Sequence, residues 1–268
     1  MISFVYIFIF YSNTGDFIRK DISLTGGTSA TIYGTIDAEK LKTDLSEKLD
    51  EIKTREIYDI ITREKIAVII ETKTNGDEAK KILEGYLGYD LNDKNSSFEF
   101  TGSLISQSFY KQLLIAMLFA FLLMSIVVFI MFRTFVPSFA VILAAFADIF
   151  MTLVVVNYFG IEMSSAGIVA FLMLIGYSVD TDILLTNKVL RSHEGSLNGK
   201  IFTAFKTGMT MTLTAIVSVS IGLYVSLSFS VVLTQIFTIL LIGLGFDILN
   251  TWVANVSILK WYVEAKKK

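Results

Sequence analysis

Residues 174–185 read LIGYSVDTDILL, and two aspartates, Asp180 and Asp182, stand in a stretch that is otherwise apolar enough to cross a bilayer. Asp180 lies sixteen residues after Ser164, where this apolar run begins. That distance is about 24 Å along an α-helix. A charged aspartate at this depth costs a few kcal/mol, so we expect it to face the bundle interior or water, or to be protonated. Asp182 is half a turn further on and points to a different side of the helix.

The long apolar runs around this stretch predict an integral membrane protein. Of the 268 residues, 53% are hydrophobic, and most of the charged residues lie between Asp16 and Lys111. After Lys111 the apolar runs approach the roughly 20 residues that a spanning helix needs. Five full spans are predicted within a membrane domain over residues 112–259, at 112–132, 137–158, 164–190, 203–226 and 231–259.

The apolar run at residues 1–12 is about half as long as a spanning helix. It has neither a basic region nor a small-residue cleavage site, so we interpret it as the outer end of a first transmembrane helix whose beginning is absent, and not as a signal peptide. Basic residues lie in the breaks at 132–135 and 187–200 and in the tail at 260–268. The positive-inside rule places these segments in the cytoplasm. The sequence therefore predicts a multi-pass protein of the cytoplasmic membrane with both termini inside.

Residues 22–108 read as one soluble domain between the first two spans. Alternating apolar residues predict strands, and leucines at helical spacing behind an Asp37 cap predict a helix. A hairpin, a second helix and a final strand over residues 96–109 follow. The order is βαββαβ, the split ferredoxin-like arrangement, and the positive-inside rule places this domain outside. Its open sheet face or edge suits contact with a partner or a passing polypeptide.

Further polar residues lie within the predicted spans. Asp148 and Asp247 are well inside the hydrocarbon region, and Lys206 is near the cytoplasmic end of its span. Titratable aspartates beside a cation at membrane depth are typical of a proton relay, with Lys206 opposite Asp180 or Asp182. The alternative is a polar network that only fixes helix packing, with Lys206 extending to the interface. Residues that share helix faces with these groups are Gly176, Thr210 and Thr214.

The sequence also excludes some kinds of chemistry. The chain has no cysteine, so disulfides and thiolate metal sites are excluded. The single histidine, His193, lies in a polar break and has no obvious partner residues, so we interpret it as a loop residue and expect no metal site. There is no Walker loop or dinucleotide fingerprint. We expect no cofactor, no enzymatic activity and no nucleic-acid partner.

Three motifs resemble the SecF family of the RND superfamily. LIGYSVDTDILLTNKVLR at 174–191 is similar to its fourth-helix motif, DISLTGGTSATI at 21–32 to the entry of its external domain, and FKTGMTMTLTAI at 205–216 to its fifth-helix pattern. The resembling positions include Gly26, Gly27, Gly176, Tyr177 and Ser178. Asp180-Thr181-Asp182 stands where bacterial members have Asn-Asp-Thr, as in the archaeal branch, so the family's aspartate falls on Thr181. Lys206 replaces the family's arginine.

The resemblance implies an RND-type six-helix half whose partner, SecD, supplies another six helices. It also implies that the pair assists the SecYEG channel, that protons cross between the halves, and that external domains act on the translocating polypeptide at the membrane lipid surface. Two alternatives stay open. One is half of an RND-type transporter of small molecules or lipids, and the other is a purely structural subunit that stabilises its partner.

Overall fold

The computed structural model describes residues 2–59, 61–192, 195–228 and 230–266. It begins with a short apolar helix, which is followed by a small antiparallel sheet with its own helices. The strand order across the sheet is β2-β3-β1-β4, and every neighbouring pair is antiparallel. The elements are α1 (Ile2–Thr14), α2 (Ile22–Thr25), β1 (Gly27–Tyr33), α3 (Ala38–Leu45), β2 (Lys53–Tyr58), β3 (Lys65–Thr72), α4 (Gly76–Leu87) and β4 (Ser96–Thr101).

The two helices α3 and α4 cover one face of this sheet. The Asp37 carboxylate caps α3 by accepting a hydrogen bond from the backbone N–H of Lys40 at 3.1 Å. Helix α4 ends at Gly88, whose φ of 77° is costly for residues with a Cβ. The core between the helices and the sheet consists of aliphatic side chains, including Ile32, Leu41, Leu45, Val68, Ile70 and Leu83. The opposite face of the sheet carries both polar side chains, such as Ser29, Thr31 and Glu99, and apolar ones, such as Ile57 and Ile69.

The double glycine of the 21–32 motif has a steric role. Gly27 has a φ of 152°, and a Cβ at this position would lie 2.5 Å from the carbonyl oxygen of Thr72 on β3. Only glycine therefore lets β1 approach β3 this closely. The strand begins at Gly27, because residues Ile22–Thr25 form a single helical turn that ends at Gly26.

The final strand predicted over residues 96–109 is wrong beyond Thr101. Gly102 is the N-cap of a helix that begins at Ser103 and continues for 30 residues. The residues after Gly102 join the long apolar helix, where each residue gains a backbone hydrogen bond. These bonds stabilise the helix more than the local alternation of apolar residues favours a strand.

Five helices in the described part of the chain are long and apolar enough to cross a membrane. This finding and the small antiparallel sheet agree with the predicted class. The last of the five contains a π-helical segment, Asn250–Asn255, that was not predicted. These helices are α5 (Ser103–Phe132), α6 (Phe135–Tyr158), α7 (Ser165–Arg191), α8 (Leu197–Ser226), and the long helix formed by α9 (Val231–Leu249), the π-helical segment and α10 (Val256–Ala265).

Helices α7 and α9 pack closely at the centre of the membrane helices. Leu174 of α7 is fully buried, and a Cβ at Gly243 of α9 would lie 2.5 Å from both of its methyl carbons. A glycine at such a contact lets two helix backbones approach each other. Helix α1 lies on the other side of the bundle against α6, where the rings of Phe4 and Phe150 stack with centroids 4.4 Å apart.

The sheet and the segment before it are joined to one end of the membrane helices by several polar contacts. The backbone N–H of Met163 donates to the carbonyl of Arg19 at 2.6 Å, and the N–H of Asp21 donates to the carbonyl of Met163 at 3.0 Å. Lys53 of β2 pairs with Glu162 in the loop before α7. Between the uncovered face of the sheet and the beginnings of α7 and α9 there is a cleft of about 630 Å³.

Two buried carboxyl groups of this cleft predict a pH dependence. Burial raises the pKa of Glu71, the nearby charge of Asp21 raises it further, and the Arg55 guanidinium opposes the shift. Burial likewise raises the pKa of Asp21. The folded protein therefore retains a proton over a pH range in which the unfolded chain has released it. The stability contribution of Glu71 is present at low pH and is lost as pH rises toward neutrality.

We expect Glu71→Gln to raise the midpoint temperature of unfolding at neutral pH, because glutamine removes the cost of ionising a buried acid. The difference should disappear near about pH 3, where glutamate is protonated in both states. Thermal unfolding of the full chain in detergent over this pH range measures the effect. Glu99→Gln, which changes an exposed glutamate on β4, is the control. An equal effect of both substitutions, or one that does not vary with pH, would contradict the prediction.

Candidate polar site within the membrane helices

Three aspartates from three different helices are buried inside the membrane domain. Asp148 comes from α6, Asp182 from α7 and Asp247 from α9, and each is 0% exposed. The sequence predicted all three as candidates but did not show that they share one interior. We call these residues, together with the hydroxyl and amide side chains bonded to them, the aspartate network.

Asp148 is held by side chains from two other helices. The Ser178 hydroxyl of α7 donates to Asp148 Oδ2. Asn250 Nδ2, in the π-helical segment, donates to Asp148 Oδ1 at 2.6 Å. Both carboxylate oxygens thus have donors, as a buried acceptor requires.

Asp182 and Asp247 share one hydroxyl group. Thr251 Oγ1 lies 2.8 Å from Asp182 Oδ1 and 3.2 Å from Asp247 Oδ1. Asn255 Nδ2 donates to Asp182 Oδ1 at 2.7 Å, and Thr212 Oγ1 of α8 lies 3.5 Å from Asp247 Oδ2. A hydroxyl has only one proton to donate, so Thr251 can serve one of the two carboxylates as a donor. The second contact becomes a hydrogen bond only when the other carboxyl group carries a proton of its own.

The network leaves buried oxygens unused. Asp182 Oδ2 and Asn255 Oδ1 are buried, and neither has a hydrogen-bond partner among the described residues. Over that same part of the chain, none of the three aspartates forms an ion pair with lysine or arginine. Three negative charges without a cation would be very costly at membrane depth. The arrangement is therefore suited to binding protons and to passing them between neighbouring oxygens.

The π-helical segment explains why sequence reasoning missed half of the network. Asn250, Thr251 and Asn255 supply most of the donors, and none was singled out as a candidate. A signal was present, because DILNTWVAN at 247–255 places four polar side chains in an apolar span. π-Helical segments of this kind occur frequently at functional sites.

Three of the other predicted residues lie on the outer surface of the bundle. Asp180, Gly176 and Tyr177 are exposed on the side of α7 that faces away from the network. Thr181 is buried. Its methyl carbon would lie 3.2 Å from a Cβ added at Gly208 of α8. The expected close approach of a helix at Gly176 is not seen in the described residues; Gly208 and Gly243 have this role instead.

Lys206 forms no ion pair with Asp180 or Asp182 in the described part of the chain. Lys206 is exposed on α8, and its ammonium lies 6.0 Å from the centroid of the Phe202 ring. Gly208 and Thr212 occupy the inward side of the same helix, so Lys206 points outward. The predicted ion pair of Lys206 with Asp180 or Asp182 is therefore not formed among the described residues. His193 lies outside the described residues, and within them no group of three His, Cys, Asp or Glu side chains is placed to hold a metal ion.

Exposed hydroxyl groups on α8 form a second polar feature. Thr210, Thr214 and Ser218 line a groove of about 460 Å³ together with Tyr177 of α7. Each of the three hydroxyls donates to the carbonyl four residues earlier, at distances of 2.7–2.9 Å. These bonds satisfy the hydroxyl protons but leave a polar surface on a helix of membrane-spanning length. We call these four residues the α7–α8 groove.

Comparison with known proteins agrees with this architecture. Residues 82–265 match the family described as protein export membrane protein SecD/SecF, C-terminal. The chain is 40% identical to the protein-export membrane protein SecF of Methanocaldococcus jannaschii, over 92% of this chain and 88% of the relative. It is 39% identical to the SecF of Methanothermobacter thermautotrophicus, over 93% of this chain and 86% of the relative.

Among solved structures, the fold resembles SecDF, a translocon-associated membrane protein from Thermus thermophilus. The TM-score is 0.73 at 19% identity, and the match covers 98% of this chain but 37% of the SecDF chain. At this identity the match concerns the fold alone. The sequence matches decide the family: the chain belongs to the SecD/SecF family of protein-export membrane proteins, among its SecF members.

Proposed function

We propose that the chain is the SecF half of a two-part membrane complex that assists polypeptide passage through the SecYEG channel, with proton movement through the aspartate network. The observation that carries the proposal is the network itself. Three buried aspartates on three helices have hydroxyl and amide partners, and none forms an ion pair with a lysine or arginine among the described residues. A purely structural network would be expected to pair such charges. Binding and release of protons gives the unpaired carboxyl groups a function.

The need for a second half is supported by two independent observations. The chain aligns with 37% of the SecDF chain, so most of that protein has no counterpart here. In addition, the α7–α8 groove exposes Thr210, Thr214 and Ser218 at membrane depth, where the hydrocarbon of the lipid has no groups that could form hydrogen bonds with them. A SecD-type half that covers the groove would remove this surface from lipid.

The proposed topology follows the positive-inside rule. Helix α1 would be part of the first of six RND-type spans, and the ferredoxin-like domain would lie outside the cell. Arg133, Lys188 and Arg191 lie at the same end of the bundle as the C-terminal tail, and this end would face the cytoplasm. Both termini would then be cytoplasmic.

The external domain would contact the translocating polypeptide at its uncovered sheet face. Ser29, Thr31 and Glu99 line the cleft above the membrane helices and offer hydrogen-bonding groups, beside apolar side chains such as Ile57, Ile69 and Val232. Such a surface would bind an extended chain weakly and without sequence preference, as a protein that handles many substrates requires.

The pairing can be tested with single cysteines, because the chain has none of its own. We expect Thr214→Cys to react with a membrane-permeant maleimide when the chain is expressed alone, and to be protected when a SecD-type partner is co-expressed. Leu123→Cys is the matched control, since Leu123 is 60% exposed on α5 and lies outside the groove. Equal labelling of Thr214→Cys with and without the partner, while the two proteins co-purify, would exclude the groove as the interface.

A further inference from the structure

A second cavity lies at the opposite end of the bundle from the sheet. Its volume is about 580 Å³, within the range of small-ligand sites. The ends of α5, α7 and α10 meet there with the beginnings of α6 and α8. The aspartate network and the α7–α8 groove do not include any residue of this cavity, so it requires its own explanation.

The polar lining of this cavity is cationic. Arg191 of α7, Lys200 of α8 and Lys266, directly after α10, all line it, and no aspartate or glutamate of the described residues does so. Within residues 2–59, 61–192, 195–228 and 230–266, none of these three side chains forms an ion pair. Three positive charges that converge without a carboxylate repel one another unless an anion lies between them.

Two of the cations are held in place by the backbone. Arg191 Nη2 donates to the carbonyl of Met131 at 2.7 Å, and Lys200 Nζ donates to the carbonyl of Ser192. A guanidinium has five N–H donors and an ammonium has three, so each side chain keeps donors for a ligand. The hydroxyl of Thr134 also lines the cavity, and its buried oxygen has no partner among the described residues. The cavity thus offers hydrogen-bond donors held in position and a hydroxyl group without a hydrogen-bond partner.

Apart from Thr134 and the phenol of Tyr262, the remaining lining is apolar. Phe132, Leu190 and Val263 form a wall beside the three cations. An inorganic anion gains nothing from such a wall, whereas a phospholipid presents a phosphate next to hydrocarbon. Basic pockets between transmembrane helices on the cytoplasmic side are suited to anionic headgroups.

We propose that this cavity binds the phosphoryl group of an anionic phospholipid, with Arg191, Lys200 and Lys266 as ligands of the phosphate. The planar guanidinium can hold two phosphate oxygens at once, while the lysines supply point charges. The lipid would fasten the ends of five helices to one another at the membrane surface. The site is independent of proton movement and of the partner half.

The test is a lipid titration of the purified, delipidated full chain followed by native mass spectrometry. We expect phosphatidylglycerol to bind more tightly than phosphatidylcholine. In the variant Arg191→Gln/Lys200→Gln its affinity should fall roughly tenfold or more, because each cation contributes about 1 kcal/mol. The matched control is Lys188→Gln/Lys260→Gln, which removes two exposed cations from α7 and α10 that do not line the cavity.

Because Arg191 and Lys200 also bond the backbone, Lys266→Gln alone is a variant that leaves those contacts intact. It should weaken phosphatidylglycerol binding severalfold without changing the midpoint of thermal unfolding.

Competition with inorganic phosphate distinguishes a lipid headgroup from a free phosphate as the ligand of the cavity. Displacement of phosphatidylglycerol by phosphate would assign the site to phosphoryl groups in general, and resistance to it would assign the site to the lipid. Equal affinity for the two lipids, or equal losses in the cavity and control variants, would overturn the proposal.

Discussion

Asp182→Asn is expected to reduce proton conductance, and the proton-dependent part of export, by roughly tenfold or more, because an amide cannot bind or release a proton at physiological pH. Asparagine keeps the oxygen that accepts from Thr251 at 2.8 Å and from Asn255 at 2.7 Å, so the helices should still pack. The substitution therefore separates a titrating role from a structural one. The measurement is export and proton flux in vesicles that contain the chain with a SecD-type partner.

Asp180→Asn is the matched comparison. It makes the same chemical change two residues away, on the exposed side of α7 and outside the network. We expect proton flux close to that of the unsubstituted chain. Comparable protein levels of the two variants must be verified by immunoblot. Normal flux in Asp182→Asn, Asp148→Asn and Asp247→Asn would leave the network with a packing role only.

Gly243→Ala is expected to destabilise the membrane domain by about 1–3 kcal/mol, the usual cost of overpacking a filled core. The added carbon would lie 2.5 Å from both methyl carbons of Leu174 and 3.0 Å from its Cγ, and Leu174 is fully buried. Either Leu174 would leave its present rotamer and lose packing, or helices α7 and α9 would separate. If the helices separate, Asp182 and Thr251, which join these two parts of the bundle, would separate with them, and proton flux should then fall as well. Thermal unfolding in detergent measures the change in stability.

Gly245→Ala provides the control on the same helix. A Cβ at Gly245 has no atom of another residue within 4 Å in the described structure, so alanine should be neutral or stabilise the helix by up to about 1 kcal/mol. Combining Gly243→Ala with Leu174→Ala should cost less than the sum of the two single changes, because the smaller side chain makes room for the new methyl group. Additive costs would show that the clash between α7 and α9 is not the cause.

Local pattern was sufficient for much of the fold. The apolar runs predicted the five long helices, and alternation with helical spacing predicted the antiparallel sheet and the helices beside it. The errors lie where a local pattern competes with a longer element. Residues after Gly102 alternate like a strand but belong to α5, and the π-helical segment at Asn250–Asn255 has no simple period in the sequence.

The aspartate network was predictable only in part. Sequence alone determined that Asp148, Asp180, Asp182 and Asp247 lie in apolar helices, and that Asp180 and Asp182 point to different sides. Tertiary structure decided which of the two faces inward. It placed Asp182 against Thr251, 69 residues away, and left Lys206 on the outer surface. The physical reason is that helical periodicity is a local property, whereas the rotation of each helix depends on how α7 packs against α9 at Leu174 and Gly243.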